Sequence, residues 1–336
     1  MSHCRSFRFR AYPTVEQVKT LDRLLGLQCE LYNAALEERS GVWRWEHRSV
    51  TYVQQSRTLT ELREVRPDVL ACGVVLCRGT LRRLDRAFKA FFRRCELGEK
   101  PGFPRFRSRA RFDSLQWEDS KGWKLNVDAR RLHLFGIGDL KVKLHRELEG
   151  TPKAITVKRE GQHWYVTLRC VDVQPTPLGL TGREVGIDLG VVSLVATSDG
   201  ELVSEGRFAK NAQAALAQAQ RDLKPKKKGS NRRRKAVERV TRHHRKVRNQ
   251  RKDLAHKVSR QLVNDYDLIV VEDLKVANMV RRPEPRLSAD GTFEANGATA
   301  KSGLNRSIQD AGWAQLTRLL AYNPSSMERR NTALLN

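Results

Sequence analysis

The sequence holds no C-x-x-C pair, and its six cysteines, Cys4, Cys29, Cys72, Cys77, Cys95 and Cys170, stand at uneven intervals. That spacing points to neither a zinc ribbon nor a disulfide framework. The cysteines read as reduced thiols of a cytosolic protein. No apolar run approaches the ~18 residues of a bilayer-spanning helix, and the opening MSHCRSFRFR lacks an apolar signal segment. The expectation is a cytoplasmic chain with no membrane partner. Acid is scarce as well: 38 Asp and Glu face 64 Lys and Arg, a net charge of +26. The excess is concentrated, which implies a polyanionic partner, with nucleic acid the leading candidate.

At 336 residues the chain can bury one large core or two to three smaller ones, and more than one domain is expected. In FRFRAYPT, Phe7, Phe9 and Ala11 alternate with Arg8 and Arg10, the pattern of a half-buried strand ended by Pro13. Thr14 then caps a helix whose apolar face carries Val15, Val18, Leu21, Leu24, Leu25, Leu31, Tyr32 and Leu36. Helices are predicted over 52–65 and 67–97. From Trp123 to Val173 the period returns to two, and the EGQH turn joins a hairpin. These strands read as a β-barrel or curled sheet interrupted by the helical block. VQPTPLGLTG is the linker candidate. A mixed α/β domain follows from near Arg183: a strand, a hairpin turning at Ser198, Asp199 and Gly200, a long basic helical region ending near Asp265, and the strand DLIVVEDL.

Between Lys224 and Lys252 there are 15 Lys and Arg against one acid, Glu238. Val237, Val240, Val247, Leu254, Val258 and Leu262 keep a helical stripe, so the segment reads as a basic helix packed along one side, with KPKKKGSNRRRK its flexible entrance. Lys226, Lys227, Lys228, Arg232, Arg233, Arg234, Lys235, Arg242, Arg245, Lys246, Arg248, Arg251 and Lys252 are the candidate phosphate contacts. A solvated basic face is the plainer reading. Phosphate contacts would make binding salt-dependent and would carry no sequence information. In KPGFPRFRSR, Phe103 and Phe106 interleave with Lys100, Arg105 and Arg107, which suits base stacking beside phosphate pairing. A proline-rich turn with core-packed aromatics fits the same residues. His243, His244 and His256 have no companion at metal-ligand spacing.

Two acids stand apart from this basic background. Asp188 in VGIDLG and Glu272 in LIVVEDL each close an apolar strand, where an RNase H-like sheet presents carboxylates to divalent metal ions. Side by side, two such strands can hold Mg2+ against a scissile phosphate. Each acid alone would read as a strand-end cap or an ion pair. Asp273 would face the opposite side if the strand persisted and reads as structural.

With these motifs in this order, the sequence resembles the TnpB family, RNA-guided DNA endonucleases encoded by insertion sequences and related to type V CRISPR effectors. The resemblance runs through FRFRAYPT, GFPRFR, VGIDLGVVSLVATSDG, RNQRKDLAHKVSRQLV, IVVEDLKVANMV and LNRSIQDAGWAQLTRLLAY. It implies a wedge-like β-barrel (1–13 and 99–176), an inserted helical recognition lobe (14–98) and a RuvC domain of RNase H-like fold (177–336) carrying a basic helical insert (209–265). It further implies a transposon-derived guide RNA and a double-stranded DNA target, with base pairing reading the sequence. Asp188 and Glu272 would then be the first two RuvC carboxylates and ligands of Mg2+.

Past LLAY the family continues into a zinc ribbon and a third catalytic aspartate, whereas this sequence reads NPSSMERRNTALLN. Zinc is therefore not expected, the final core elements are expected to be missing, and truncation is expected to impair cleavage. Asp310 in IQDAGW reads as packing or capping. A cleavage-deficient RNA-guided binder and a non-specific basic nucleic-acid binder are the competing functions.

Overall fold

The computed structural model describes residues 3–174, 178–204, 206–288, 291–322 and 332–335. Pro175 to Pro177, in the expected linker, and 323–331 lie outside the described residues. The chain divides into two units, Met1–Gln174 and Pro175–Asn336.

In the first unit β1 (Arg5–Tyr12) leads into α1 (Val15–Glu46), α2 (Tyr52–Val65), α3 (Pro67–Ala71) and α4 (Val74–Glu96). Thr14 and Gln17 form a capping box at the start of α1, and Thr51 and Gln54 repeat it on α2, so both helices begin where orphan N–H groups find a side-chain oxygen. The single helix predicted over 67–97 is broken at Cys72 and Gly73. Gly73 has a φ of +78°, and a Cβ there would lie 2.9 Å from the Phe135 ring, so only glycine fits this break.

The strands β2 (Ser114–Trp117), β3 (Trp123–Asn126), β4 (Arg131–Leu134), β5 (Gly138–Lys143), β6 (Thr151–Glu160) and β7 (His163–Val171) join β1 in one antiparallel sheet, ordered β2-β6-β7-β1-β5-β4-β3. β2 and β3 are its edges, so of the two expected forms, β-barrel or curled sheet, strand pairing among the described residues gives the curled seven-stranded sheet. Phe7, Phe9 and Ala11 face inward and are buried with Leu21, Leu25, Leu76 and Leu84. On the outward side Arg8 lies 3.9 Å from the Tyr165 ring centroid and pairs with Glu160 at 2.9 Å.

The second unit is mixed α/β. Its strands are β8 (Glu184–Asp188), β9 (Ser193–Thr197), β10 (Leu202–Ser204), β11 (Leu268–Glu272) and β12 (Thr332–Leu335). The order is β10-β9-β8-β11-β12, with β8 to β10 antiparallel and β11 running parallel to both β8 and β12. β12 is an element the sequence reading left out: TALL supplies a fifth strand in register with Ile269 to Glu272. The helices are α5 (Phe208–Leu223), α6 (Asn231–Asp265), the short α7 (Val276–Met279), α8 (Ala298–Ala311) and α9 (Trp313–Tyr322). Val185, Ile187, Ile269 and Val271 are buried against Val258, Leu262 and Val263 of α6 and Leu316 and Leu320 of α9. Each such side chain contributes about 1.5–3 kcal/mol relative to exposure.

Candidate functional site

β8 and β11 have five residues each, and alternation puts two of each into the core. Val185 and Ile187 of β8, and Ile269 and Val271 of β11, are buried, while the terminal Asp188 and Glu272 are exposed. Val271 is opposite Ile187 in the parallel ladder, and one further step of that register sets Glu272 beside Asp188. Both acids therefore leave the sheet on the face away from Ile187 and Val271. Neither carboxylate makes a hydrogen bond or ion pair among the described residues.

The turn after Asp188 is fixed from two sides. A Cβ on Gly190 would meet the Ser193 carbonyl at 2.8 Å, so this close approach needs glycine. The Trp313 indole N–H donates to the Gly190 carbonyl at 3.1 Å, tying the turn to the first residue of α9. Glu272 and Asp273 line an open recess of about 250 Å³ together with Trp313, Thr317 and Arg318. Asp273 thus borders the same space as Glu272: β11 ends at Glu272, so strand alternation no longer turns Asp273 away. Sequence reasoning missed Trp313 and Arg318. The available signal was the spacing of Ala314, Thr317, Arg318 and Ala321, an unusually small face on an otherwise apolar helix.

Asp310 caps α5. Its carboxylate is buried, accepts from the Ala209 N–H at 2.9 Å and the Lys210 N–H at 3.2 Å, and pairs with the Arg251 guanidinium at 2.7 Å. A carboxylate on a helix N-terminus completes orphan donors and opposes the helix dipole. It also engages Arg251, one of the candidate phosphate contacts.

From Asn231 on, the basic segment lies in one helix, α6, and α5 precedes it. α5 ends at Leu223 and α6 begins at Asn231, capped by the Ser230 hydroxyl on the Arg233 N–H. The entrance expected at KPKKKGSNRRRK is thus confined to a turn at 224–230, and Arg232 to Lys235 belong to the helix. On α6 the apolar stripe is shifted, with Ala236 buried and Val237 exposed. Lys227, Lys228, Arg232, Arg234, Lys235, Lys246 and Lys252 are exposed and make no side-chain hydrogen bond or ion pair among the described residues. Arg233 donates to the Lys226 carbonyl at 2.9 Å, Lys226 itself donates to the Asp222 carbonyl, and Arg242 pairs with Glu238 at 3.6 Å. Arg245 and Arg248 are also engaged.

In the first unit, Lys100, Arg105 and Arg107 are exposed. Phe103 meets Phe88 and Phe91 edge to face at 5.6 and 5.4 Å while half exposed, and Phe106 is exposed. Asn33 bonds both the N–H and the carbonyl of Arg107, at 2.8 and 2.9 Å, holding this loop to α1. Among the described residues no group of three His, Cys, Asp or Glu is placed to hold a metal, and no helix is long and apolar enough to cross a membrane.

A five-stranded mixed sheet with two partnerless acids at the ends of neighbouring strands, and the basic helix α6 packed against it, defines a mixed α/β domain. The family model OrfB_IS605, described as "Probable transposase", matches residues 169–282, from β7 past Glu272. A second model, HTH_OrfB_IS605, described as a helix-turn-helix domain, matches residues 1–48; there the structure has β1 and one 32-residue helix. A Streptomyces pristinaespiralis protein named "Putative RNA-guided DNA endonuclease" is 35% identical over 95% of this chain and 74% of its own length. A protein of Escherichia coli K12, "Putative RNA-guided DNA endonuclease InsQ", is 32% identical over 96% of this chain and 78% of its own. The chain belongs to the TnpB family of insertion-sequence proteins. In fold it is similar to Cas12f1, solved by cryo-EM as a complex with sgRNA and target DNA: TM-score 0.53 and 11% identity, covering 100% of this chain and 89% of that one.

Proposed function

We propose that this chain is an RNA-guided DNA-binding protein of mobile-element origin that cuts a DNA phosphodiester at Asp188 and Glu272. One observation carries the reading: the two acids close neighbouring parallel strands and have no partner among the described residues. A carboxylate kept for structure is normally satisfied by a donor. The strand order β10-β9-β8-β11-β12 supports an RNase H-like, RuvC-type sheet for 177–336, with 209–265 as its basic insert. A wedge formed by 1–13 and 99–176 and a helical lobe at 14–98 complete the proposed organisation. The partners are a transposon-derived guide RNA and double-stranded DNA, a reading supported by the names of the relatives. The protein would work in the cytoplasm, at the nucleoid when bound to DNA.

The donor set fits Mg2+. Two exposed carboxylates are hard oxygen ligands, and Mg2+ is commonly held by one or two carboxylates plus phosphate oxygens and water. When bound, the ion neutralises charge on the phosphate and polarises its oxygens. Asp188 and Glu272 would hold it, while the Trp313 bond to Gly190 keeps the Asp188 turn in place. The free cations of α6 and of the Lys100 loop contact phosphates, and base pairing with the guide supplies specificity, the division of labour described for Cas9-type effectors. A second reading is guide-dependent binding without cutting. It accommodates the observation that among the described residues no group of three His, Cys, Asp or Glu is placed to hold a metal.

The test loads the protein with its guide RNA and supplies guide-matched DNA and Mg2+. Product from the wild type and none from Glu272→Ala is the expected result. Retention of DNA with no product would favour the second reading, and product from Glu272→Ala would remove the assignment.

A further inference from the structure

We propose that Arg318 is a further catalytic residue, holding the phosphodiester of the DNA strand beside Glu272. The proposal rests on the reading of Asp188 and Glu272 as the cutting acids. On α9, Ala314, Thr317, Arg318 and Ala321 recur at i, i+3, i+4 and i+7 and face the recess, while Leu316 and Leu320 are buried in the core. Three of these four side chains are small, and this leaves the space open. The fourth is the one basic group among the described residues that line it.

Arg318 is exposed and makes no ion pair or hydrogen bond among the described residues, although Glu272 and Asp273 border the same recess. An arginine near two carboxylates ordinarily pairs with one of them. Here the cation and the acids stand on different walls, α9 and the end of β11. The group that engages both walls is an anion carrying a divalent cation: the guanidinium takes two phosphate oxygens in its planar fork, and Glu272, with Asp188 beside it, would take the cation. Two acids against one arginine leave the recess net negative, so phosphate enters with Mg2+ and not without it.

In hydrolysis, the water oxygen forms a new bond to phosphorus and the bond to one ester oxygen breaks. The electron pair of the broken bond and one water proton go to that leaving oxygen, which departs as a hydroxyl. The other fragment keeps a phosphate monoester. Charge gathers on the equatorial oxygens at the transition state, and a fixed guanidinium there lowers the barrier without reorganisation. Trp313 sets its position, because the bond to Gly190 anchors α9 to the turn that follows Asp188.

The test uses the full chain loaded with guide RNA and guide-matched DNA carrying photoreactive nucleotides across the target. The expected result is a crosslink to the peptide 313–322 that requires Mg2+ and a matching guide. Arg318→Ala should abolish it and slow cutting by about 10²-fold, with unchanged thermal unfolding, and Arg318→Lys should fall between. No crosslink to α9, or cutting by Arg318→Ala at the wild-type rate, would overturn the proposal. Should the wild type give no product, the cutting function fails, and the crosslink still decides whether Arg318 holds DNA.

Discussion

The two ends of the five-stranded sheet treat their acids in opposite ways. Where β8 and β11 begin, Asp267 accepts from the Thr181 N–H, the Gly182 N–H and the Thr181 hydroxyl at 2.8–3.0 Å. Asp199 there accepts from the Tyr266 hydroxyl at 3.0 Å and the Arg183 guanidinium at 2.9 Å, and Arg183 lies over the Tyr266 ring. Where the same strands end, Asp188 and Glu272 stand exposed with no donor among the described residues. All four are acids at the two ends of one sheet, so what separates them is the donors around each. The acids at the start tie the strands together, and those at the end, which we propose hold a ligand, lie on the side of a parallel sheet where α/β proteins commonly bind one.

The largest effect that could break this comparison is on cutting. Glu272→Ala is expected to remove product while leaving thermal unfolding almost unchanged, because an exposed, partnerless side chain contributes within about 0.5 kcal/mol. The satisfied acids should behave in reverse. Asp310→Ala leaves Arg251 half buried without its partner and uncaps α5, and is expected to destabilise the second unit by about 3–5 kcal/mol. Equilibrium denaturant unfolding checks this, and a loss below about 1 kcal/mol would show that the buried pair is not structural.

A smaller effect concerns pH. The Tyr266 hydroxyl and the Arg183 guanidinium hold the Asp199 carboxyl below the ordinary carboxylate range. Burial and the Asp199 hydrogen bond push the Tyr266 phenol above its usual value. The Asp199 contribution is therefore present above the unfolded carboxylate pKa and lost as pH falls through the lower folded value. The Tyr266 contribution is complete below the unfolded phenol pKa and lost as pH rises through the higher folded one. Thermal unfolding against pH should show both flanks in the wild type, with the acid flank reduced in Asp199→Asn and the alkaline flank reduced in Tyr266→Phe. Unchanged flanks would mean that this cluster does not clasp the sheet.

Much of this arrangement was legible in the residues. Alternation marked β1, because one buried face imposes period two, apolar runs marked β8 and β11, and Thr14 announced α1. Asp188 and Glu272 were visible as the acids that close those apolar runs. The break at Gly73 was not, since it depends on a backbone turn and on Phe135, 62 positions along. A tally of basic residues could not separate Arg251 from Lys252: their fates differ through Asp310, a partner remote in sequence. β12 has only four residues, too few for a periodic signal. Arg318 belongs to no charged run, and the small face of Ala314, Thr317 and Ala321 beside it, though legible in the spacing, does not by itself say what it faces.

Thermal unfolding of the wild type and Glu272→Gln, each with and without Mg2+, tests the contrast most directly. A ligand that binds the folded state raises its apparent stability in proportion to the logarithm of occupancy. The account predicts that Mg2+ raises the wild-type midpoint and leaves that of Glu272→Gln unmoved, and that without metal the variant is at least as stable as the wild type. A metal-free variant clearly less stable than the wild type, or a wild type indifferent to Mg2+, would contradict it.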